Sequence, residues 1–352
     1  MSGSPYDLTP LARFGGLVAT DLRDVTSDPA ALDSTGFWAV VASFEGRLVC
    51  ARFGDVRRAP VPAAEPGVWR GPDPDAWTSS LDRAAYLAGV RRIRQHIAAG
   101  EVYQANLCRV LSAPLPDPER ADVDALTALL ARSNPAPYAG TVRLPAYGVE
   151  ISTASPELFL RRDGRTVESG PIKGTGRTAA DLLDKDHAEN VMIVDLVRND
   201  LGRVCVTGSV TVPELCAVET HPGLVHLVST VRGELAEGAG WPELLTGTFP
   251  PGSVTGAPKS SALRIIAALE TAPRGPYCGG VGWVDADRGT GALAVGIRTF
   301  WIERTAPGGP FLRFGTGAGI TWDSDPEREW AETRLKARRL LGVASAGYRL
   351  MG

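Results

Sequence analysis

Lys173 lies in the segment Pro-Ile-Lys-Gly-Thr, sixteen positions after Glu157 in Ser-Pro-Glu. An ammonium group confined on a strand or loop loses hydration, which favours its neutral form and lets the amine attack carbon near neutral pH. A lysine beside glycine is more often an exposed turn residue, and the short segment alone leaves both interpretations open. Lys173 is therefore a candidate nucleophile, with the carboxylate of Glu157 as a candidate partner.

Two pairs of carboxylates have the spacing of one helix face. Asp186 and Glu189 are three positions apart on a predicted helix, and so are Glu329 and Glu332. If the two faces meet, they would supply the oxygens that Mg²⁺ takes together with oxygens of its substrate. The alternative is a solvated face with local ion pairs, because Glu332 and Lys336 have the i, i+4 spacing of a surface salt bridge.

Two glycine-rich segments could bind an anion. The segment 314–319, Phe-Gly-Thr-Gly-Ala-Gly, is expected to be a loop whose backbone N–H groups suit a carboxylate or phosphate. It leads into Ile-Thr-Trp rather than a helix, so it is not a dinucleotide fingerprint. The segment 250–259 resembles an anion loop at a helix start but lacks P-loop spacing, which disfavours ATP binding.

The elements that must position these residues follow from periodicity and turn signals. Strands are expected over 37–53 as a hairpin, over 102–111, 147–152 and 157–161, and within 279–301. Helices are expected from a cap at 79–82 to about 99, and over 179–200, 259–270 and 326–341. Many hairpin-like strands with few strand–helix alternations predict an α+β fold. A Pro-rich stretch near 58–75 suggests that residues 1–78 form an N-terminal segment contributing strands to the same fold, ahead of a catalytic core at 79–352.

Composition excludes several classes of protein. The 352 residues are 44% hydrophobic and carry 37 basic and 40 acidic residues, a net charge of -3, which argues against a nucleic-acid partner. The sequence shows neither a signal peptide nor an apolar run of about eighteen residues, so no membrane association and a cytoplasmic location are expected. The 5 cysteines form no C-x-x-C pair, which argues against disulfides or a zinc knuckle.

Seven segments, taken in order, resemble the chorismate-utilising enzyme family. They are EVYQANLCR, SPELF, PIKGT, ENVMIVDLVRNDL, PPGSVTGAPK, GGVGWV and GAGITWDSDPEREWAET. The match runs from about Tyr86 to Leu341, and within the family it is most similar to the aminodeoxychorismate synthase component I group. The resemblance implies one large domain of two packed antiparallel sheets with outer helices and an active site in the cleft between them.

The resemblance also implies roles for individual residues. Glu189 and Glu332 resemble direct Mg²⁺ ligands, with Asp186 and Glu329 behind them. Glu157 resembles a general acid, and burial beside other carboxylates would raise its pKa enough to keep its proton. The positions that bind the substrate, chorismate, are matched by Gln104, Thr175, His226, Ser253, Tyr277, Arg298, Gly317, Gly319 and Lys336.

Two positions distinguish the reactions of the family. Members that add water to chorismate resemble this chain except for a lysine at position 104; because the amide of Gln104 is no base, ammonia is the expected nucleophile. Anthranilate synthases, which aminate ring carbon 2, resemble it except for alanine at position 173. Lys173 therefore predicts amination at carbon 4 through a covalent lysine adduct, giving 4-amino-4-deoxychorismate.

Ammonia is expected from a separate glutamine amidotransferase subunit, since the chain leaves no room for that domain. The N-terminal region is short for this group and lacks a Leu-Leu-Glu-Ser element, which predicts no inhibition by tryptophan. Three alternatives stay open: anthranilate synthase component I or another amination at carbon 2, an isochorismate or salicylate synthase, and a chorismate-binding subunit without activity.

Overall fold

An antiparallel ladder of strands forms the centre of the computed structural model, which describes residues 8–60, 68–176, 178–182, 184–221 and 224–346. At positions 175, 184, 185, 221 and 224 only the backbone is described. The strands are β1 (Leu11–Phe14), β2 (Leu17–Thr26), β3 (Phe37–Ala42), β4 (Leu48–Arg58), β5 (Thr78–Ser79), β6 (Gln104–Pro114), β7 (Tyr138–Leu144), β8 (Val149–Ser155), β9 (Leu158–Asp163), β10 (Thr166–Gly170), β11 (Ile172–Gly176), β12 (Thr211–His221), β13 (Leu224–Glu234), β14 (Gly256–Ala257), β15 (Gly280–Asp285), β16 (Thr290–Val295), β17 (Thr299–Glu303) and β18 (Phe311–Ile320).

The helices begin at side-chain caps or prolines that the sequence makes visible. They are α1 (Arg83–Ala98), α2 (Val123–Ser133), α3 (Asp184–Gly202), α4 (Trp241–Thr248), α5 (Lys259–Leu269) and α6 (Pro326–Ala344). Asp82 caps α1 by accepting a hydrogen bond from the N–H of Ala85, as the motif at 79–82 predicts. Asp325 caps α6 in the same way, and Pro326 occupies the first turn, where a missing N–H costs nothing.

The ladder of hydrogen-bonded strands is continuous. It runs from β6 through β18, β17, β8, β7, β1, β2, β4, β3, β15, β16, β9 and β10 to β13, which also pairs with β11 and β12. The expected α+β fold of antiparallel strands with helices is therefore confirmed, but the strands form one hydrogen-bonded sheet rather than two separate sheets. The strands of the N-terminal segment lie in the middle of this ladder.

The ladder folds back over one core. Cys108 and Val110 of β6, at one end, belong to the same buried cluster as Val40 of β3 and Val231 of β13. Strands at opposite ends of the ladder therefore face each other across apolar side chains, as packed sheets do. The helices lie outside and close smaller clusters, such as α1 and α5 over β6.

Two local predictions are corrected by the structure, and two helices were missed. The segment 314–319 is not a loop, because it lies within β18 and pairs with β6 from Phe311 to Ile320. Helix α3 begins at Asp184 rather than near 179, after a single 3₁₀ turn over Ala179–Asp181. Helices α2 and α4 were not predicted. No helix in the ranges that the structure describes is long and apolar enough to cross a lipid bilayer.

Candidate active site

Glycines on one face of β18 make room for side chains of the site. A methyl group built on Gly315 would lie 2.0 Å from the ring of Tyr277, one on Gly317 would lie 2.5 Å from Sγ of Cys108, and one on Gly319 would lie 2.2 Å from Nε2 of Gln104. Because alternate strand residues share a face, this spacing creates one continuous trough. Strand β17 pairs with β18 only up to Phe314, so beyond it the edge of β18 opposite β6 has no strand partner in the described chain.

Gln104 is fully buried at the first position of β6. Its Nε2 donates to Oδ1 of Asn106 at 3.3 Å. Its Oε1 is buried and has no hydrogen-bond partner within the described ranges. An unsatisfied buried acceptor costs about 1–3 kcal/mol, so this oxygen is suited to an N–H or O–H group of a ligand.

Glu157 follows Pro156 between β8 and β9 and is 4% exposed. Burial raises its pKa from 4.5 to about 6, while a hydrogen bond from Ser253, the charge of Lys173, the N–H of Ile172 and the charge of Lys336 limit the rise. The pKa moves in the direction expected of a general acid, but burial produces the shift. The charges acting most strongly on Glu157 are lysines, not the carboxylates that were expected.

Lys173 lies half-buried on β11, next to Gly174. Gly174 has φ +79, and a methyl group there would lie 2.9 Å from Cβ of Asp186, so only glycine allows β11 to pass this close to α3. The electrostatic interaction of Lys173 with Glu157 brings the candidate nucleophile and the candidate acid into one site.

Helix α3 is fixed to the sheet by Asn190, the neighbour of Glu189. Asn190 is fully buried, its Nδ2 donates to the carbonyl of Leu227 at 3.2 Å, and its Oδ1 accepts from Ser229 at 2.5 Å. These bonds tie α3 to β13, whose His226 pairs across the sheet with Thr175 of β11. His226 is buried; the side chain of Thr175 lies outside the described part of the structure.

Helix α6 holds the second acidic pair. Glu329 is buried and its Oε1 accepts from Ser324 Oγ at 2.6 Å. Glu332 forms an ion pair with Lys336 at 2.7 Å, and both side chains are about half exposed, at 47% and 52%. Lys336 Nζ also donates to the carbonyl of Gly317 at 3.2 Å, which places it at the open edge of β18.

Arg298 and Tyr277 lie at the remaining predicted positions. Burial lowers the pKa of Arg298, and its guanidinium has no hydrogen bond or ion pair with the residues that the structure describes. Arg298 also has φ +52, which is costly for a side chain other than glycine and is typical of functional positions. Tyr277 is buried, with its hydroxyl 3.9 Å from Sγ of Cys108.

The candidate residues differ in exposure, from buried at the floor of the site to exposed at its rim. Gln104, Glu157, His226 and Ser253 are buried, Lys173 and Arg298 are half-buried, and Glu332 and Lys336 are exposed. Such a gradient is typical of a cleft that receives a polar ligand from solvent.

The acidic side chains of α3 and α6 are the candidate metal ligands. Within the described ranges no group of three or more His, Cys, Asp or Glu side chains is placed to hold an ion. Mg²⁺ is usually held by one or two carboxylates together with water and substrate oxygens. Carboxylates such as those of Glu189 and Glu332 are donors of the type that Mg²⁺ takes, and these two residues stay the predicted ligands.

Several residues that support the site were missed. Asn106 links Gln104 to the carbonyl of Ser253, and a buried ion pair between Glu270 and Arg274 lies behind them. The i, i+4 spacing of Glu270 and Arg274 was a visible signal, but it is equally common on exposed helices. Lys259, in the expected anion loop, instead pairs with Asp200 at 2.6 Å.

Comparison with protein families places the site in context. The family model described as chorismate binding enzyme matches residues 49–342. Anthranilate synthase component 1 of Streptomyces coelicolor is 42% identical over 304 residues, 81% of this chain and 57% of the relative. Aminodeoxychorismate synthase component 1 of Salmonella typhimurium is 38% identical over 278 residues, 76% of this chain and 59% of the relative. The chain thus spans little more than half the length of these curated relatives.

Solved structures share the fold at low sequence identity. Anthranilate synthase component I from Streptococcus pneumoniae superposes with a TM-score of 0.78 at 21% identity, over 97% of this chain and 93% of that one. The menaquinone-specific isochorismate synthase MenF from Escherichia coli gives a TM-score of 0.78 at 18% identity, over 97% and 92%. Because the family model covers most of the chain and the fold is shared, this protein belongs to the family of chorismate-binding enzymes.

Proposed function

We propose that the protein is an aminodeoxychorismate synthase component I, which replaces the hydroxyl at ring carbon 4 of chorismate with ammonia to give 4-amino-4-deoxychorismate. The observation that carries this proposal is the position of Lys173, half-buried on β11 and electrostatically coupled to the buried Glu157. The family resemblance implies alanine at this position in anthranilate synthases, which would leave them without a nucleophile there.

The reaction proceeds by two allylic displacements. The neutral amine of Lys173 bonds to carbon 2, the ring double bond shifts, and the carbon 4 hydroxyl leaves as water with the proton of Glu157. The new secondary ammonium then returns a proton to the carboxylate of Glu157. Ammonia bonds to carbon 4, the double bond shifts back, and Lys173 leaves carbon 2, taking a proton from the new ammonium group at carbon 4. Hydroxyl is exchanged for amine and water is released, without oxidation or reduction.

Glu157 is suited to the first displacement. A general acid works best when its pKa lies near the operating pH, and burial brings the pKa of Glu157 to about 6. The negative charge of bound chorismate would raise it further, since a nearby like charge disfavours the ionised form.

Gln104 supports ammonia over water as the nucleophile. An amide cannot remove a proton from water, whereas its unpaired Oε1 can accept an N–H bond from ammonia and orient the lone pair. Which amide atom is oxygen follows from the hydrogen bond between Nε2 and Asn106.

Substrate carboxylates would be held at the rim and along β18. Arg298 is a guanidinium without a carboxylate partner in the described residues, and charge-assisted bonds to a substrate carboxylate would satisfy it. Lys336 and the free edge of β18 at Gly317 and Gly319 offer further donors. Tyr277, Ser253, His226 and Thr175 complete the set that the family resemblance implies.

Mg²⁺ held by Glu189 and Glu332, with Asp186 and Glu329 behind them, would neutralise a substrate carboxylate and polarise the ring toward attack. Glu332 is paired with Lys336, so that lysine lies beside the proposed metal ligand.

A separate glutamine amidotransferase subunit is proposed as the source of ammonia. The relatives described above are named component 1, which implies a second component for those enzymes. Free ammonium should replace that subunit in vitro.

Anthranilate synthase component I is the second candidate, and one observation favours it. Most of the similar relatives have that name, including the one at 42% identity. It differs from the first proposal in aminating carbon 2 and in leaving Lys173 without a covalent role.

Intact-protein mass spectrometry can test the covalent role. The protein would be incubated with chorismate and Mg²⁺ without ammonium, then digested. The proposal predicts added mass on Lys173 equal to chorismate less water, chased away by ammonium and absent from Lys173→Ala. An unmodified Lys173 in a protein that turns over chorismate would favour the second candidate.

A further inference from the structure

The buried ion pair of Arg274 and Glu270 lies behind the floor of the site. Arg274 is 1% exposed, and its Nε and Nη2 bond both carboxylate oxygens of Glu270 at 2.8 and 2.6 Å. Removing two charges from water costs several kcal/mol per ion, so such a pair is weak evidence for stability by itself. The groups bound by the rest of the guanidinium indicate what the pair does.

Three separate segments meet here: strand β6, the turn at Gly252–Val254 and the stretch that carries Glu270 and Arg274. Arg274 Nη1 donates to the carbonyl of Val254 at 2.8 Å, and Nη2 donates to that of Asn106 at 3.3 Å. Glu270 Oε1 accepts the backbone N–H of Cys108 at 2.8 Å. The pair thus connects strand β6 to the turn at Gly252–Val254 that precedes α5.

A fourth segment holds the arginine in place. The guanidinium carbon lies 4.2 Å from the centre of the Phe44 ring, and the backbone N–H of Arg274 donates to Glu45 Oε1 at 2.7 Å. The hairpin between β3 and β4 therefore contacts both the face of the guanidinium and the backbone of Arg274.

The two carbonyls bound by Arg274 are next to the residues that act on Glu157 and on ammonia. Val254 follows Ser253, whose side chain acts on the Glu157 carboxylate and lowers its pKa. Asn106 Oδ1 accepts from Gln104 Nε2 at 3.3 Å, and its Nδ2 donates to the carbonyl of Ser253 at 3.5 Å. If the guanidinium moved, the two carbonyls would move with it. Ser253 and Gln104 lie one or two residues from these carbonyls and would be displaced as well.

We infer that Arg274, held by Glu270, is a positioning residue: by fixing the carbonyls of Val254 and Asn106 it sets Ser253 against Glu157 and aligns the amide of Gln104. The inference rests on the proposed function, in which Glu157 is the acid and Gln104 orients ammonia. Arg274 itself touches neither substrate nor reacting atoms, because it is enclosed behind β6.

A lysine at position 274 could not bind Glu270 and both carbonyls in the same geometry. The guanidinium binds a carboxylate with two parallel bonds and keeps further N–H groups for the two carbonyls in one rigid plane. A lysine ammonium preserves the charge for Glu270 but cannot match that geometry, so the turn at Ser253 would be released. Arg274→Lys therefore separates positioning from charge balance.

The chain contains a matched control. Arg304 bonds both oxygens of buried Glu150 at 2.5 and 2.6 Å and donates to the carbonyl of Pro118 at 2.7 Å, but none of these groups contacts a residue of the site. Arg304 is 28% exposed, so Arg304→Lys should lower stability by less than Arg274→Lys and leave catalysis unchanged.

The experiment compares Arg274→Lys, Glu270→Gln and Arg304→Lys with wild type. Ammonium-dependent turnover would be measured with Mg²⁺ across pH, and the pKa of Glu157 would be followed by ¹³C NMR of glutamate-labelled protein, with Glu157→Gln identifying the signal. Arg274→Lys should lower kcat by at least about tenfold, since misplacing catalytic groups by 1 Å can cost a hundredfold, while KM for chorismate changes little. Glu270→Gln should show the same split if Arg274→Lys does not fold.

The pKa of Glu157 provides a readout that a merely structural role would not move. The groups that act on Glu157 are Ser253, Lys173, the N–H of Ile172 and Lys336, and the Ser253 hydrogen bond lowers its pKa. Loosening Ser253 should therefore raise the pKa of Glu157 and move the alkaline limb of kcat to higher pH. Ser253→Ala should shift it equally, and Arg274→Lys should add no further shift in the Ser253→Ala background.

A normal kcat and an unshifted Glu157 pKa in Arg274→Lys would overturn the inference, and so would additive shifts with Ser253→Ala. Failure of the proposed function looks different. In that case wild type would give no product aminated at carbon 4, whereas the NMR titration of Glu157 would still report whether Arg274 positions Ser253.

Discussion

The side chain of Gln104 on β6 lies over Gly319 of β18, and a methyl group on Gly319 would lie 2.2 Å from the Gln104 amide nitrogen. The absence of a side chain on β18 is thus what allows the buried amide to occupy the trough. The methyl group would meet the end of a flexible side chain. The fold can therefore tolerate displacement of that side chain, whereas the site cannot.

Gly319→Ala should therefore fold and lose activity. Gln104 would be displaced and its oxygen misdirected, and we expect kcat with ammonium to fall by at least about tenfold. The midpoint of thermal unfolding should change by only a few degrees, measured by circular dichroism. Gly342→Ala, where a methyl group meets nothing within 4 Å, serves as the control. Full activity in Gly319→Ala would contradict the role given to Gln104.

Glu157→Gln should stabilise the protein at neutral pH while abolishing activity. Because the folded-state pKa is raised from 4.5 to about 6, the stability that the protonated carboxyl contributes is fully present below pH 4.5 and is lost as pH rises through about 6. The Glu157→Gln variant does not lose this stability, which amounts to about 2 kcal/mol in the free energy of unfolding. Urea unfolding at pH 4 and pH 7.5 should show a gain only at the higher pH. The exposed Glu237→Gln should show none, and an equal gain at both pH values in Glu157→Gln would exclude titration of Glu157 as its cause.

Arg298→Met should weaken chorismate binding. Losing a charge-assisted bond to a carboxylate costs about 1.5–3 kcal/mol, or roughly ten- to a hundredfold in Kd. Calorimetric titration in a Lys173→Ala background avoids turnover. Because φ at this position is +52, Arg298→Gly should lose binding equally but unfold at a higher temperature than Arg298→Met. Unchanged Kd in both variants would show that the guanidinium does not hold the substrate.

Metal removal should stop turnover reversibly. We expect EDTA to abolish activity and Mg²⁺ to restore it, and we expect Glu189→Gln and Glu332→Gln each to raise the Mg²⁺ concentration needed for half-maximal activity. Glu327→Gln, an acidic residue of α6 paired with Arg83 at the surface, should behave like wild type. Activity that persists in EDTA would contradict the proposed role of the metal.

The sequence predicted the elements that local signals define. The cap at Asp82, the start of α6 and the hairpins at β3–β4 and β15–β16 follow from residues within a few positions of each other. The glycines of 314–319 were misread as a loop because glycine is a turn signal when its neighbours across the sheet are unknown. Only the pairing of β18 with β6 shows that these glycines make space for Gln104, Cys108 and Tyr277.

The candidate residues were predicted from spacing and from family resemblance, whereas the residues that support them were not predicted. Nothing local in Glu270 and Arg274 indicates that they bind the backbone of segments far away in sequence. The pKa of Glu157 was expected to rise for a partly mistaken reason, since lysines surround it and burial dominates. Both features depend on packing between segments that are distant in sequence. Rules based on residue spacing do not detect such packing in a single sequence.

Product identification tests the central claim most directly. Purified protein would be incubated with chorismate, Mg²⁺ and ammonium, and the product identified by NMR and mass spectrometry beside a Lys173→Ala control. The account predicts 4-amino-4-deoxychorismate from wild type and none from the variant. Anthranilate, an aminated isochorismate or isochorismate from wild type, unaffected by Lys173→Ala, would contradict it.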